Sequence, residues 1–346
     1  MNGSHILVNT LLELGVDTVF GYPGGSVLNI YDAMYDYQDK IKNIITSTEQ
    51  GAAHAADGYA RSTGKVGVAI ATSGPGATNL ITGIATAFMD SVPVVYITGN
   101  VAQNLIGKDS FQEVYTTGIT MPITKHNFVV REVDKIADTI REAFRIASSG
   151  RKGPVLIDFP KDVTIAEYDF EEKKSEVKKK EEFKDENLLD EIAKLINESK
   201  KPVIYSGGGV ISSNASEELR QVIDKSSIPA CNSIMGIGNL DYNKYFLGMA
   251  GMHGRVSTNY AIDNSDLIIA IGTRFSDRTV TNTEKFAPRA KIIHIDIDAS
   301  EIRKNVNIDY DIIGDVKDIL TKLLPKIKRQ DRDEWLAEIE NWKKLD

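Results

Sequence analysis

Residues 44–100 read IITSTEQGAAHAADGYARSTGKVGVAIATSGPGATNLITGIATAFMDSVPVVYITGN. One carboxylate, Glu49, stands at the mouth of a small-residue helix expected over 51–61. Two apolar runs follow, 66–71 and 94–98, short enough and β-branched enough to be buried strands. Between them lie a glycine-proline turn, Ser73-Gly74-Pro75-Gly76, and a helix expected over 77–89. A carboxylate set among Gly and Ala is poorly solvated, which is how proteins make a carboxyl group chemically useful. A glutamate at a helix N-terminus also interacts favourably with the helix dipole, and that bland role competes with a chemical one. The bare surface of Gly51, Ala52, Ala53, Ala55 and Ala56 suits close approach of either another backbone or a flat ligand.

The same order of strand, glycine loop and helix recurs on both sides. Upstream, apolar positions at helical spacing over 4–14 lead through Gly15 to a strand at 18–20. The loop Gly21-Tyr22-Pro23-Gly24-Gly25-Ser26 and a helix over 27–35 follow. Downstream, 155–159 is a further buried strand. Residues 202–205 begin a second series, with strands at 267–271 and 292–297 and glycine junctions at 207–209 and 272. Strands alternating with helices imply α/β architecture: two open, doubly wound parallel sheets. Ligands of such sheets bind beyond the carboxyl ends of the strands, where these loops sit.

The 346 residues are too long for one ordinary core, so two domains are expected. Domain one spans 1–166, a Lys/Glu-rich linker 167–187, domain two 188–325, and 326–346 begins a further linker, an amphipathic segment with nothing downstream to pack against. The 49 acidic residues outnumber the 41 basic ones, for a net charge of −8, which argues against a nucleic-acid or anionic-membrane partner. A single cysteine, Cys231, excludes an intrachain disulfide, and neither a leader nor a membrane-length apolar run stands out, so a cytoplasmic location is expected. The five histidines form no metal-binding pair, and no metal ligands are assigned. Nor is there a P-loop lysine or a G-x-S-x-G elbow, which leaves phosphate-loop and triad-hydrolase readings without support.

Taken together, GYPGGSVLNIYDA (21–33), the stretch from Glu49 to Gly99, IGKDSFQEVYTTGITMPITKHNF (106–128), GRKGPVLIDFPKDV (150–163), GMAGMHG (248–254), IGTRFSDR (271–278) and IIHIDID (292–298) resemble the thiamine-diphosphate enzymes. Within them the chain is most similar to the catalytic large subunits of the acetolactate synthase (acetohydroxyacid synthase) family. The resemblance implies that Glu49 hydrogen-bonds the pyrimidine N1′ of thiamine diphosphate and favours the tautomer that deprotonates the thiazolium. Tyr22, Pro23, Gly24, Gly25, Ser26, Pro75 and Asn79 line that cofactor's site by the same resemblance. Phe111, Gln112 and Lys161 match positions bordering the substrate channel. Arg151, Gly207, Gly208, Gly209, Met252, His253, Gly254, Gly272, Arg274, Arg278, Asp296 and Asp315 match positions of an FAD-binding domain, whose flavin does no net redox work.

The implied reaction is decarboxylation of pyruvate and its condensation with a second 2-oxo acid, in branched-chain amino-acid synthesis. The implied assembly is a homodimer or higher oligomer through the first domain, with a regulatory small subunit as a further partner. Two positions depart from the family pattern. Ser276 replaces an acidic residue in the RF-D-D-R motif, and Ser47-Thr48 stands where a basic residue and His are usual. The family's third domain holds Mg2+ and the cofactor diphosphate through a Gly-Asp-Gly motif, and it is expected to be missing. The only Gly-Asp pair, Gly314-Asp315, continues with Val316. The chain is therefore expected to be inactive alone, as a truncated product or one subunit of a split enzyme. A non-catalytic FAD- or nucleotide-binding module is the alternative of a different class. Among enzymes, a pyruvate oxidase-like member is the rival, whereas glyoxylate carboligase lacks the glutamate.

Overall fold

Each apolar run flanked by glycine forms a strand, and the strands assemble into two six-stranded parallel sheets. The computed structural model describes residues 1–171, 182–240 and 243–346. The chain divides into two units, Met1–Lys178 and Lys179–Asp346. The Lys/Glu-rich stretch expected as a linker falls largely outside the described residues.

In the first unit the strands are β1 (Thr18–Gly21), β2 (Lys42–Ile45), β3 (Gly67–Ala71), β4 (Val94–Asn100), β5 (His126–Val129) and β6 (Val155–Pro160), in the order β2-β1-β3-β4-β6-β5. β3, β4 and β6 are buried along their whole length, as a parallel sheet covered on both faces requires. One face carries helices α1 (Gly3–Glu13) and α2 (Leu28–Tyr35) on a core of Ile6, Leu7, Leu11, Ile30, Ile70 and Ile157. On the other, helices α3 (Glu49–Thr63) and α5 (Ile81–Asp90) pack through small residues, with Ala53, Ala56, Ala60, Ile84 and Ala87 buried. A Cβ added at Gly83 would collide with Ala53, and one at Gly67 with the Ala56 carbonyl. The alanine face of α3 is thus spent on close backbone packing, the first of the two uses the sequence left open.

The helix expected over 77–89 is two segments, α4 (Pro75–Asn79) and α5, with Leu80 between them. Asn2 bridges Glu167, and the Tyr168 amide donates to the Met1 carbonyl, so the first unit closes on its own start.

The second unit repeats the scheme with β7 (Pro202–Ser206), β8 (Ala230–Asn232), β9 (Phe246–Met249), β10 (Leu267–Ile271), β11 (Lys291–Asp296) and β12 (Tyr310–Ile313). Their order is β12-β11-β10-β7-β8-β9. Residues 326–346, expected as the start of a linker without packing partners, instead fold back onto this unit. The helix Asp333–Trp342 buries Trp335 to 2% exposure, and its indole donates to the Pro202 carbonyl at 3.1 Å. Trp342 stacks on Tyr260, and Asp346 caps the helix Val256–Asn264 through Ser257. The apolar stripe of the segment found an upstream partner. Among the described residues no helix is long and apolar enough to cross a membrane.

Candidate functional site

Each sheet contains a point where its winding reverses between central strands. In the first, the chain leaves β1 for β2 on one side and returns to β3 on the other. A crevice opens at such a switch point, beyond the carboxyl ends of the strands. The loops that meet there are Tyr22–Ser26 after β1, Thr46–Thr48 after β2, and Thr72–Gly76 after β3.

These loops are fastened to one another. The Ser26 amide donates to Thr72 Oγ1 at 3.2 Å, the two hydroxyls lie 2.9 Å apart, and the Ser73 amide donates to Ser26 Oγ at 2.9 Å. A Cβ at Gly24 would sit 2.5 Å from Thr72 Cβ, so only glycine allows this approach. Gly74 adopts φ +59°, and its Cα lies against the Gln112 backbone, which itself has φ +57°. Gln112 is therefore packed on the turn before Pro75.

Glu49 is the first residue of α3 and only 9% exposed. The helix begins two residues earlier than expected because Thr48 caps it, accepting from the Gly51 amide at 3.1 Å. Thr48 thus gives the unusual pair before Glu49 a local job, and the carboxylate itself does not serve as the cap. Glu49 Oε2 accepts from Asn79 Nδ2 at 2.9 Å. Among the described residues no hydrogen bond reaches Oε1, which lies 3.3 Å from where a Gly76 Cβ would stand. A buried carboxylate oxygen beside a missing side chain can receive a donor from a bound ring. Nearby, burial and the Glu49 charge push the Tyr31 phenol up, so it stays protonated and donates to the Ile70 carbonyl at 3.3 Å.

The second sheet switches between β7 and β10. Here the glycines have a structural duty. A Cβ at Gly207 would strike the Gly272 carbonyl, and one at Gly209 would lie 2.6 Å from Gly272 Cα. Gly207 N donates to Ile271 O at 2.9 Å and Gly209 N to Gly272 O at 3.0 Å. Gly272 itself has φ +57°. On the rim, the Met252 amide donates to the Arg278 carbonyl, and the Arg278 guanidinium approaches Met252 Sδ at 3.7 Å. Met252, His253 and Arg278 are exposed; Gly254 is half-buried, and a Cβ there would collide with the Met249 carbonyl. Asp296 accepts from the Asp298 amide, and Asp315 caps the helix Val316–Leu323. Arg274 is half-buried, its carbonyl bonded by Asn305. Arg151 belongs to the first unit, where Nε donates to Ser91 Oγ at 2.9 Å.

Two family descriptions match the chain. The N-terminal TPP binding domain of thiamine pyrophosphate enzymes matches residues 1–119, and their central domain matches 189–323. Together they cover more than two thirds of the sequence. The chain belongs to the thiamine pyrophosphate enzyme family. It is 48% identical to the probable acetolactate synthase large subunit of Methanocaldococcus jannaschii, with 100% of this chain and 60% of the relative aligned. It is 49% identical to the acetolactate synthase of Mycobacterium bovis (95% and 54%) and 44% identical to the acetolactate synthase large subunit of Haemophilus influenzae (99% and 62%). The chain thus spans between half and two thirds of the length of these relatives.

Within this thiamine pyrophosphate enzyme chain, the site residues separate by position. Glu49, Asn79, Ser26, Gly24 and the Ser73–Gly76 turn meet at the first switch point. Tyr22 and Pro75 stand exposed beside it, as does Gly25. Phe111 is 88% exposed and Lys161 is exposed at the start of the helix Lys161–Ile165. Sequence reading missed Thr72, the partner of Ser26, and Tyr31. The available signal for Thr72 was its position at the end of a buried strand, directly before the glycine turn.

Proposed function

We propose that the chain contributes to a thiamine-diphosphate-dependent acetolactate synthase that condenses two 2-oxo acids with loss of carbon dioxide. The observation that carries this reading is Glu49, buried at the first switch point with Oε1 open beside Gly76. Its place in a chain 44–49% identical to proteins named acetolactate synthase supports the substrate class.

When bound, thiamine diphosphate supplies the electron sink for the carbanion left by decarboxylation of a 2-oxo acid. Everything else falls to the protein. Glu49, only 9% exposed, would hold the cofactor's pyrimidine ring through Oε1 and supply the carboxylate for its proton exchange. Ser26 and Thr72 keep the β1 and β3 loops at the spacing a flat ring needs. Phe111, Gln112 and Lys161 border the path of the 2-oxo acids, with Lys161 presenting a cation to their carboxylates.

For the second unit we propose FAD. The exposed Arg278 guanidinium, whose carboxylate neighbour Asp277 is 3.8 Å away, fits an anionic diphosphate at the β7/β10 switch point. Arg274 joins it from the same loop. Mg2+ would, by the family resemblance, be held by a third domain, and no described residue is assigned to it. Association of two first units is proposed through exposed apolar residues of that unit, among them Ile45, Phe111, Tyr115 and Met121.

The test is acetolactate formation from pyruvate by the gene product carrying this chain, supplied with thiamine diphosphate, Mg2+ and FAD. Glu49→Gln should lower kcat at least a hundredfold while leaving the fold intact by circular dichroism. An unchanged kcat refutes the assignment. A flavin spectrum in the purified protein, lost in Arg278→Ala, tests the second unit.

A further inference from the structure

We propose that Asn79 is a positioning residue for Glu49: its side-chain amide pins Oε2 and thereby presents Oε1 to the cofactor ring. The inference rests on the reading of Glu49 given above.

The contact joins two different loops. Asn79 ends α4, the short helix after β3, whereas Glu49 opens α3 after β2. The Nδ2–Oε2 distance is 2.9 Å, and it is the only side-chain hydrogen bond of either residue among the described residues. A glutamate carboxylate turns freely about its last bonds, so one fixed oxygen decides where the other points. Here the other points toward Gly76, the place where a side chain is missing. Thr48 already serves the helix N-terminus, so the carboxylate is not drawn there.

The choice of an amide has its own logic. Lysine or arginine at this place would pair with the carboxylate and compete with the ring nitrogen for its charge. An amide donates one hydrogen bond, carries no charge, and does not titrate. Asn79 therefore fixes geometry and leaves proton exchange to Oε1. Its own exposure means that replacing it removes the contact without opening a cavity.

Two measurements test this. In the cofactor-free chain, the 15N–1H signals of the Asn79 side-chain amide should shift with pH as Glu49 ionises and should be flat in Glu49→Gln. Signals that ignore pH in the wild-type chain overturn the contact, and this arm needs no cofactor. In the gene product loaded with thiamine diphosphate and Mg2+, exchange of the cofactor's C2 proton into deuterium oxide is followed by NMR at saturating cofactor. Asn79→Ala should slow exchange about tenfold. Asn79→Asp should be as slow at high pH, where two carboxylates repel, and should recover at low pH, where one shared proton restores the bond. A purely structural role predicts no such recovery. Slow exchange in Glu49→Gln with wild-type rates in Asn79→Ala overturns the positioning role alone. Wild-type exchange in Glu49→Gln overturns the reading of Glu49 itself.

Discussion

The hydroxyl of Ser26 stands 2.9 Å from that of Thr72 and accepts the Ser73 amide at the same distance, so one side chain ties the loop after β1 to the loop after β3. All three residues are at least nine-tenths buried. Ser26→Ala leaves the Ser73 N–H without an acceptor in a place water does not reach. The cost of such an orphaned donor is about 1–3 kcal/mol. The denaturant midpoint of the first unit should fall accordingly, and the Ser73 amide should lose hydrogen-exchange protection. Thiamine diphosphate affinity should drop with it, because the loops lose their spacing. An unchanged midpoint would show that the tie is incidental.

The strand-glycine-helix rhythm made the fold class legible, since central strands buried on both faces must be continuous apolar runs. The strands that escaped notice, β5, β8, β9 and β12, lie at or next to sheet edges. HNFV is only partly buried, and ACN, though buried, is three residues long, so neither carries a distinctive pattern. Glu49 stands out in the sequence by its bare surroundings, although the alanines around it serve helix packing. Gly207 and Gly209 match flavin-domain positions by resemblance, and what the sequence does not show is that their missing side chains also make room for Gly272. Such contacts join residues more than sixty positions apart, and local pattern carries no trace of them.

Asp158 on β6 is 1% exposed, with hydrogen bonds from Thr98 Oγ1 at 2.6 Å and Asn100 Nδ2 at 2.5 Å. Burial pushes its carboxyl up to about 6, and the two donors offset this only in part. The folded chain therefore holds a proton that the unfolded chain has released between about pH 4 and 6. Stability from this group is complete below the lower value and is lost as pH rises through the upper one. The shift of about two pH units corresponds to about 3 kcal/mol at neutral pH. Asp158→Asn should gain on the wild type by that order between pH 4 and 8 in urea titrations. Parallel curves would contradict the assignment.

The contact of Gly209 with Gly272 predicts unequal tolerance within one glycine triplet. Gly209→Ala places a methyl 2.6 Å from a backbone carbon that cannot yield, while Gly208→Ala meets the Met235 Cβ at 3.1 Å. The first should cost about 2–4 kcal/mol and the second less than about 1 kcal/mol. Trp335 and Trp342 are the chain's only tryptophans and both belong to the second unit, so their emission reports its unfolding selectively. Equal midpoints for the two variants would refute the packing argument.

Arg332 is 5% exposed and, among the described residues, forms no ion pair. Its guanidinium donates instead to the carbonyls of Ile196 and Ser226 at 3.0 Å each, and to that of Ser199. These carbonyls lie at the carboxyl ends of the helices Glu186–Glu198 and Ser216–Ser226, where unsatisfied C=O groups carry partial negative charge. Burial pulls the guanidinium down from its ordinary value, opposed by the charge of Asp266, yet an arginine stays protonated under any usable condition. The fork therefore holds two helix ends and the start of the helix carrying Trp335 in one place. Arg332→Met keeps the bulk and removes the donors of two buried carbonyls and one partly buried one, and should destabilise the second unit by about 3 kcal/mol. Arg332→Lys keeps the charge but not the planar fork, and should fall between the two. The measurement is guanidinium unfolding followed by tryptophan emission, with the native spectrum of Arg332→Met shifted red as Trp335 gains water. A methionine variant with wild-type midpoint and emission would mean that the terminal helix is held by Trp335 and Trp342 alone.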